Sequence, residues 1–582
     1  MIGKVDVLMK PALNDILLSS SDLKAINGKL HSITGIRDFF QSADELEEFK
    51  SLDMERIVQG EREFGDFQTP SHLASQVCHY LLAHYQINPA VVIEPTFGKG
   101  NFIRSAIECF PKLRKVYAVE IQKNYHWLSK QALFHQAEAL NRTWEKPDIQ
   151  LFHDDIFTHS FDRALFNPQE EILILGNPPW VTNSELGSLD SKNLPKKQNF
   201  KEHKGLDALT GKSNFDICEY IMLMMLETFK NCNGTFAMLC KNSVAKKLVQ
   251  DLPKKNFHIT DMKLLNIDAK KDFNAAADAS LFVARLGGKA DKIVCDTYKL
   301  DEPDHKVSTF GWHNHKFVSN IEKYKHSSMI DHCCQFTWRS GIKHDCSSVM
   351  ELDFAEGRLT NKLKEAVEIE DALVFDLLKS SDLKTSVITE SPRKKVIVTQ
   401  KSIGEETAPI ERDFPNTWRY LTNHKKQFEA RKSSIYKGKP DFSIFGVGDY
   451  SFSAYKVAIS GMYKKSAFTL VPPINGKAVM LDDTCYFLPF DDMKTASFTF
   501  AVLNGSIVQD FLQSVVFLDE KRPYTKDILM RIDLYKAAQN TTFEEIKAVF
   551  DVIKVESEEI ASLTPDDYQQ YMELLKGQAL LL

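Results

Sequence analysis

Between residues 64 and 290, short β-branched and aliphatic runs alternate with longer stretches of helical periodicity. Val91–Glu94, Val116–Glu120, Ile149–Phe152, Glu171–Leu175, Gly234–Leu239 and Ala279–Ala284 each read as a strand of four to six residues. Near-continuous apolar runs separated by helices are the pattern of a parallel sheet covered by helices, because each crossover consumes a helix's worth of chain. The most apolar helical run, Tyr220–Leu226, is flanked by Asp216, Glu219 and Glu227, so it predicts a core helix rather than a membrane span. Residues 1–60 read as a helical, polar extension, with pieces such as Ser42–Phe49. After about 290 the pattern changes: strand-like runs such as Lys395–Thr399 and Ala467–Val471 mix with loops and aromatics. The pattern predicts four parts: an N-terminal helical extension (1–60), an α/β domain (61–290), an α+β domain (291–540) and acidic helices (541–582).

Length agrees with this division, since 582 residues exceed what one domain holds. Charge adds more. The chain carries 73 basic and 79 acidic side chains, a net of −6, which speaks against a wholly basic nucleic-acid binder. That excess is local: residues 541–582 hold nine acids against three lysines and net −6, so residues 1–540 sum to zero. A neutral body with basic patches can still hold a polyanion. No run approaches the ~20 apolar residues of a membrane helix, and Asp6 and Asp15 interrupt the N-terminal stretch where a signal peptide would be apolar. Ten cysteines without a CxxC pair point to a reducing cytoplasm. His332, Cys333, Cys334, His344 and Cys346 cluster in sequence, but adjacent cysteines do not match zinc-ligand spacing. Buried free thiols and no metal are expected.

Candidate chemistry falls at four strand ends, the edge where open parallel sheets bind ligands. Glu94-Pro-Thr-Phe-Gly98-Lys-Gly100 closes the first strand; its glycines permit a tight turn and a close approach to a ligand. A nicotinamide dinucleotide would call for a third glycine where Ile103 stands, and Glu94 would repel its pyrophosphate; a cationic amino-acid moiety suits that carboxylate better. Glu120 ends the next strand, where an acid can accept from both ribose hydroxyls, and Asp154-Asp155-Ile156 follows the third, where a carboxylate can accept from an adenine amino group. Singly, each acid also reads as a solvated strand end. Together they describe a pocket for an adenosyl group with an amino-acid tail. The fourth segment is Gly176-Asn177-Pro178-Pro179-Trp180. Its prolines stiffen the backbone, the Asn177 oxygen and Pro178 carbonyl can both accept from one planar amino group, and Trp180 offers a stacking face.

On these motifs the chain resembles the adenine-specific amino-methyltransferases of DNA in restriction–modification systems, of the gamma arrangement, in which cofactor motifs precede the Asn-Pro-Pro-aromatic motif and a target-recognition domain follows. The resemblance covers 64–290 closely and 291–540 more loosely. It implies a Rossmann-like methyltransferase domain, S-adenosylmethionine as cofactor, double-stranded DNA as partner and no membrane. A cognate restriction endonuclease and a monomeric or dimeric state stay open. By the resemblance, Phe67-Gln-Thr69-Pro70 and the following helix (71–86) close over the methionine end; Glu94, Gly98 and Gly100 hold the methionine part, Glu120 the ribose and Asp155 the adenine. Ile121, Ile156 and Pro179 would sandwich the cofactor ring, and Asn214-Phe215-Asp216 resembles the helix start beside it. Trp180 stands where the family usually has Tyr or Phe, and Phe273 is similar to its second stacking aromatic. Asn177, Pro178, Trp180 and Phe273 are thus the catalytic set. None of the ten cysteines follows a proline, which excludes a cytosine carbon-5 enzyme acting through a Pro-Cys nucleophile.

Basic runs supply candidate phosphate contacts: Lys196 and Lys197 within 192–204, Lys246 and Lys247 within 241–255, and Arg431 and Lys432 within 411–440. Trp338–Lys343 and Tyr455–Gly461 resemble segments of the family's recognition domains, with Arg339 and Lys343 candidates for guanine edges or phosphates. The rival reading is an amino or amide methyltransferase acting on RNA or on a protein glutamine, since enzymes of both kinds use Asn-Pro-Pro-aromatic. The 290 or so residues after the catalytic domain favour DNA.

Overall fold

The strand ends that matter belong to one sheet of ten strands: β1 (Val91–Glu94), β2 (Lys115–Glu120), β3 (Asp148–His153), β4 (Ile172–Gly176), β5 (Gly234–Lys241), β6 (Ile259–Ile267), β7 (Ala279–Leu286), β8 (Val294–Lys299), β9 (Ser308–His313) and β10 (Lys316–Val318). Their order is β10-β9-β8-β6-β7-β5-β4-β1-β2-β3. The computed structural model describes residues 11–51, 67–140, 146–161, 169–181, 216–255, 257–274, 278–553 and 558–579. The chain divides into two compact units, Met1–Phe317 and Val318–Leu582.

All six strands read from the sequence are present, most extended by a residue or two. From β5 through β4, β1 and β2 to β3 the neighbours are parallel, Val92 lying opposite Val116 on one side and Leu173 on the other. β1 and β4 are buried along their whole length, in keeping with their near-continuous apolar sequences. Beyond β5 the expectation of a parallel sheet fails: β7 runs antiparallel to both β5 and β6, and β6 pairs in parallel with β8. β6 escaped the sequence reading because Asp261, Lys263 and Asn266 interrupt its apolar positions, in keeping with its partly exposed face. The sheet also continues past residue 290 through β8, β9 and β10, so the first unit ends near 317.

The N-terminal segment is helical at Pro11–Leu18, Leu23–Thr34 and Ala43–Lys50, but it is not simply polar. Leu30, Phe39, Phe40 and Phe49 are fully buried, and Glu45 reaches the buried ammonium of Lys130 at 3.2 Å. Ile36 bridges to Ile149, covering the open edge of β3.

The second unit holds β11 (Arg339–Ser340), β12 (Glu351–Ala355), β13 (Arg358–Asn361), β14 (Ala366–Val367), β15 (Val374–Leu378), β16 (Lys394–Ile397), β17 (Tyr455–Ser460), β18 (Phe468–Val471), β19 (Met480–Leu481) and β20 (Cys485–Phe490). They form a four-stranded sheet, β11-β20-β17-β18, and a six-stranded one, β14-β13-β12-β16-β15-β19, with helices such as Met493–Asn504 and Ser506–Val515 beside them. The acidic C-terminal segment packs rather than dangles. Tyr568, Tyr571 and Leu575 are buried, the Thr499 and Tyr571 hydroxyls are 3.0 Å apart, and Lys494 pairs with Asp567 at 2.7 Å. Cys334 and Cys346 are buried thiols as expected, whereas Cys333 is exposed. Among the described residues no helix is long and apolar enough to cross a membrane, and no cluster of three His, Cys, Asp or Glu is placed to hold a metal.

Candidate active site

A cavity of about 570 Å³ opens at the ends of β1, β2, β3 and β4. Thr69, Glu94, Gly98, Glu120, Ile121, Asp155, Ile156, Asn177 and Pro179 all line it. Gly98 and Gly100 both have positive φ, +51° and +72°. A Cβ on Gly100 would stand 2.8 Å from the Ser129 hydroxyl, so the turn into the helix Asn101–Cys109 admits no larger residue without displacement. Ser129 closes the loop by donating to the Gly98 carbonyl at 2.9 Å. Gln68 accepts from the Lys99 amide at 2.9 Å and the Thr69 carbonyl accepts from the Asn101 side chain at 2.8 Å, so the segment 67–70 is tied to that turn.

Two carboxylates stand side by side here. Glu120 accepts from the Gly98 amide and the Gln122 amide, each at 2.8 Å. Glu94 is almost fully buried and its Oε2 has no hydrogen-bond partner. Burial, and then the Glu120 charge, push its carboxyl well above the ordinary range. A buried carboxylate with one oxygen unpartnered beside a second acid fits a cationic ligand group. The Thr96 hydroxyl in the same loop is likewise buried and unpartnered. Of the two acids after β3, Asp154 is committed to His159 at 2.8 Å and to the Asp155 amide, while Asp155 Oδ1 accepts from the Phe157 amide at 3.0 Å. Ile121 is 47% exposed although apolar.

At the end of β4 the Asn177 amide nitrogen donates to the Phe67 carbonyl at 2.7 Å, which leaves Oδ1 as the free acceptor. That oxygen is buried and has no partner. Trp180 and Phe273 are brought together, but edge to face: their ring centroids are 5.1 Å apart at 68°. Phe67 completes the cluster, 5.3 Å from Trp180 and 6.0 Å from Phe273. A base stacked between two rings needs contacts of ~3.5–4.0 Å on each face, hence parallel planes roughly 7 Å apart. The slot between Trp180 and Phe273 is therefore closed here, and neither ring lines the cavity. His72 and Asp272, 3.0 Å apart, tie the start of the helix Ser71–Ala83 to the helix Ala269–Phe273.

The structure sorts the basic candidates. Lys192, Lys196, Lys197, Lys201 and Lys204, with Asn214 and Phe215, lie outside the described residues. Lys246 lies on the helix Asn242–Asp251. Lys247 pairs with the buried carboxylate of Glu219. In the second unit, the Arg339 guanidinium lies 4.7 Å over the Tyr450 ring. Arg431 stacks 3.7 Å from Tyr436 and donates to the Ser443, His344 and Phe428 carbonyls, so its contacts brace the fold. Lys343 stands 3.6 Å from Asp345, and Lys432 is exposed.

Sequence reading missed the Phe67 ring as a partner of Trp180, and Phe157, His153 and Tyr125 as cavity walls. Phe67 had a signal, an aromatic two residues before Thr69, but its partner is set by a contact across more than a hundred residues. Nothing local marks the other three.

Comparison with known proteins gives one strong likeness. The chain is 42% identical over 474 residues to the type II methyltransferase M.NspV of a Nostoc species, a match spanning 81% of this chain and 96% of that one. Its fold is similar to that of the type IIL restriction–modification enzyme MmeI, solved in complex with DNA, with a TM-score of 0.51, 12% identity and coverage of 92% of this chain and 74% of that one. No family model matches the chain.

Proposed function

The chain belongs to the type II methyltransferases, and on that basis we propose that it methylates the exocyclic amino group of an adenine flipped out of duplex DNA, as the modification component of a restriction–modification system. The observation that carries this reading is the Asn177 side chain, whose amide nitrogen is held by the Phe67 carbonyl while Oδ1 is buried and unpartnered at the cavity's edge. An unsatisfied buried acceptor costs ~1–3 kcal/mol, so it is set there for a donor that arrives. An exocyclic amino group is such a donor.

The cavity fits S-adenosylmethionine on its own chemistry: the orphaned Glu94 oxygen suits the cofactor's ammonium, Glu120 its ribose, Asp155 its adenine, and Ile121, Ile156 and Pro179 its ring. When bound, the cofactor supplies an electrophilic methyl group. Thr69, Gly98 and Gly100 shape the loop that surrounds the amino-acid end. Asn177 Oδ1 and the Pro178 carbonyl accept the two amino hydrogens of the target, drawing its nitrogen toward tetrahedral character and directing the lone pair away from both acceptors. Positioning and electrostatics carry the rate. Flipping the base costs a few kcal/mol, which Trp180 and Phe273 offset by stacking once their edge-to-face contact has opened. The second unit serves as the target-recognition domain, and the N-terminal helices and acidic C-terminal helices brace the two units they belong to.

The test is expression in a host lacking its own adenine methylation, followed by sequencing that detects modified bases, for the wild type and Asn177→Ala. Methyladenine at one short motif with the wild type, and none with the variant while purified variant still binds cofactor, is the expected result. Retained turnover by Asn177→Ala, or modification found on RNA or protein instead of DNA, overturns the reading.

A further inference from the structure

One end of the four-stranded sheet in the second unit collects several chain segments. β17 ends at Ser460 opposite Cys485, β11 ends at Ser340 opposite Tyr486, and the Gly341 amide donates to the Cys485 carbonyl at 3.1 Å. A cleft of about 590 Å³ opens beside them, walled by Lys343, Asp345, Lys379, Lys432, Asp482 and Asp483. From the same end projects the connection between β17 and β18, residues 461–467, and β18 is the edge strand of its sheet.

The tip of this hairpin is unusual in composition and fixed in shape. Met462 and Tyr463 are 39% and 41% exposed, and Lys464 and Lys465 beside them are exposed too. The Ser460 hydroxyl oxygen accepts from the Met462 and Tyr463 amides, each at 3.2 Å, and the Tyr524 hydroxyl donates to the Lys464 carbonyl at 3.2 Å. A tip held by three such bonds presents its side chains with little ordering cost on binding.

The charges around it do not cancel. Asp345 lies 3.6 Å from Lys343, Asp483 lies 3.6 Å from Arg522, and Glu351 pairs with both Lys379 and Lys362. Asp482 accepts from the Thr484 amide and hydroxyl. These four acids face seven cations, since Lys343, Lys362, Lys379 and Arg522 are joined by Lys432, Lys464 and Lys465, which make no ion pair among the described residues. The remainder is positive, and the exposed Tyr463 directly precedes two of its lysines.

We propose that this sheet end is the surface that meets duplex DNA, with the β17–β18 tip entering a groove, Tyr463 against base edges and Lys464, Lys465 and Lys432 on phosphates. A two-stranded β-ribbon has the width of a major groove, and lysines that neutralise phosphates release counterions. The inference rests on the DNA reading above and deepens it. To Arg339, which lies over the Tyr450 ring, and Arg431, whose guanidinium donates to three backbone carbonyls, it adds residues whose side chains are exposed.

The experiment titrates the full-length protein, with cofactor present, against a short fluorescein-labelled duplex of mixed sequence over a range of salt. Lys464→Ala/Lys465→Ala should weaken binding about tenfold and lower the slope of log affinity against log salt by about 1.8, or ~0.9 for each phosphate that is no longer neutralised. Tyr463→Ala should weaken binding at an unchanged slope, because an aromatic side chain releases no counterion, and Lys464→Arg/Lys465→Arg should restore the slope. Cofactor binding by calorimetry and the thermal midpoint should match wild type throughout, which separates damage to the surface from damage to the fold. A double alanine variant with wild-type duplex affinity and slope overturns the inference alone. So does one that no longer binds a single-stranded RNA of the same sequence while keeping the duplex. A wild type that binds no duplex overturns the DNA reading and this inference with it.

Discussion

The Asn177 side-chain amide donates to the Phe67 backbone carbonyl at 2.7 Å, and the rings of Phe67 and Trp180 meet at 5.3 Å within the same few residues. The segment 67–70 that is tied to the Gly98–Gly100 turn by Gln68 and Thr69 thereby also orients the Asn177 amide and touches Trp180. Loop, turn and Asn-Pro-Pro-Trp motif form one contiguous network, so a change on the loop reaches Asn177.

Phe67→Ala is expected to slow single-turnover methyl transfer about tenfold, equivalent to about 1.4 kcal/mol on the barrier. The ring no longer holds the loop against Trp180, so the carbonyl that orients Asn177 becomes less well placed. Phe67→Tyr, which keeps the ring, should retain most of the rate. The effect should fall on kcat more than on cofactor affinity. A wild-type single-turnover rate in Phe67→Ala would remove the coupling.

Glu94 is expected to cost stability in the cofactor-free protein at neutral pH. Its folded carboxyl titrates well above the ordinary range because of burial and then the Glu120 charge. A raised carboxyl pKa contributes stability that is present below the unfolded value and is lost as pH rises through the folded one. Glu94→Gln should therefore raise the thermal midpoint of the cofactor-free protein at neutral pH and flatten its decline with pH. It should weaken S-adenosylmethionine binding by at least about tenfold, or ~1.4 kcal/mol, since the ammonium loses its carboxylate. Calorimetry and melting curves across pH check both halves; unchanged cofactor affinity would contradict the assignment of Glu94.

Lys456, on the central strand β17, is 1% exposed and donates to the Ser453 carbonyl at 2.8 Å, with no carboxylate among its described partners. Burial brings its ammonium down to about 7. Above the free-lysine range both states are neutral; as pH falls the unfolded chain takes up its proton first, and stability is lost progressively down to about pH 7. Replacing the buried charge by an apolar chain of similar length should be stabilising, by ~1–4 kcal/mol near pH 6. Lys456→Met is thus expected to exceed wild type at acid pH and to lose that margin as pH rises toward the free-lysine range. Denaturation midpoints on both sides of neutrality decide it; a variant less stable than wild type at pH 6 would show that the ammonium contributes to the fold.

Much of the site is legible in the sequence because strand ends in a parallel sheet are set by local pattern. Four apolar runs each stop at a residue whose chemistry is explicit, Glu94, Glu120, Asp155 and Asn177, and the structure brings all four to one cavity. Where neighbouring strands run antiparallel, or lie toward an edge, the pattern weakens: β6 mixes polar and apolar positions, and β8 to β10 extend the sheet beyond the expected boundary. Long basic side chains were the least legible. A run of lysines states charge but not partner, and Lys247 proves to neutralise Glu219 from a distant helix.

Residue order alone establishes the α/β alternation of the first unit, the Gly98 and Gly100 turn, the acids at the strand ends and the Asn-Pro-Pro-Trp motif, all of which depend on residues within a few positions of one another. Which groups face one another is a matter of tertiary packing: the Phe67 carbonyl on Asn177, the closed contact of Trp180 with Phe273, the unpartnered oxygen of Glu94, and the partners that occupy Arg339 and Arg431 while Lys464 and Lys465 remain outward. Such pairings join segments far apart in the chain, and their energies come from burial and contact rather than from local conformational preference, so no local pattern encodes them.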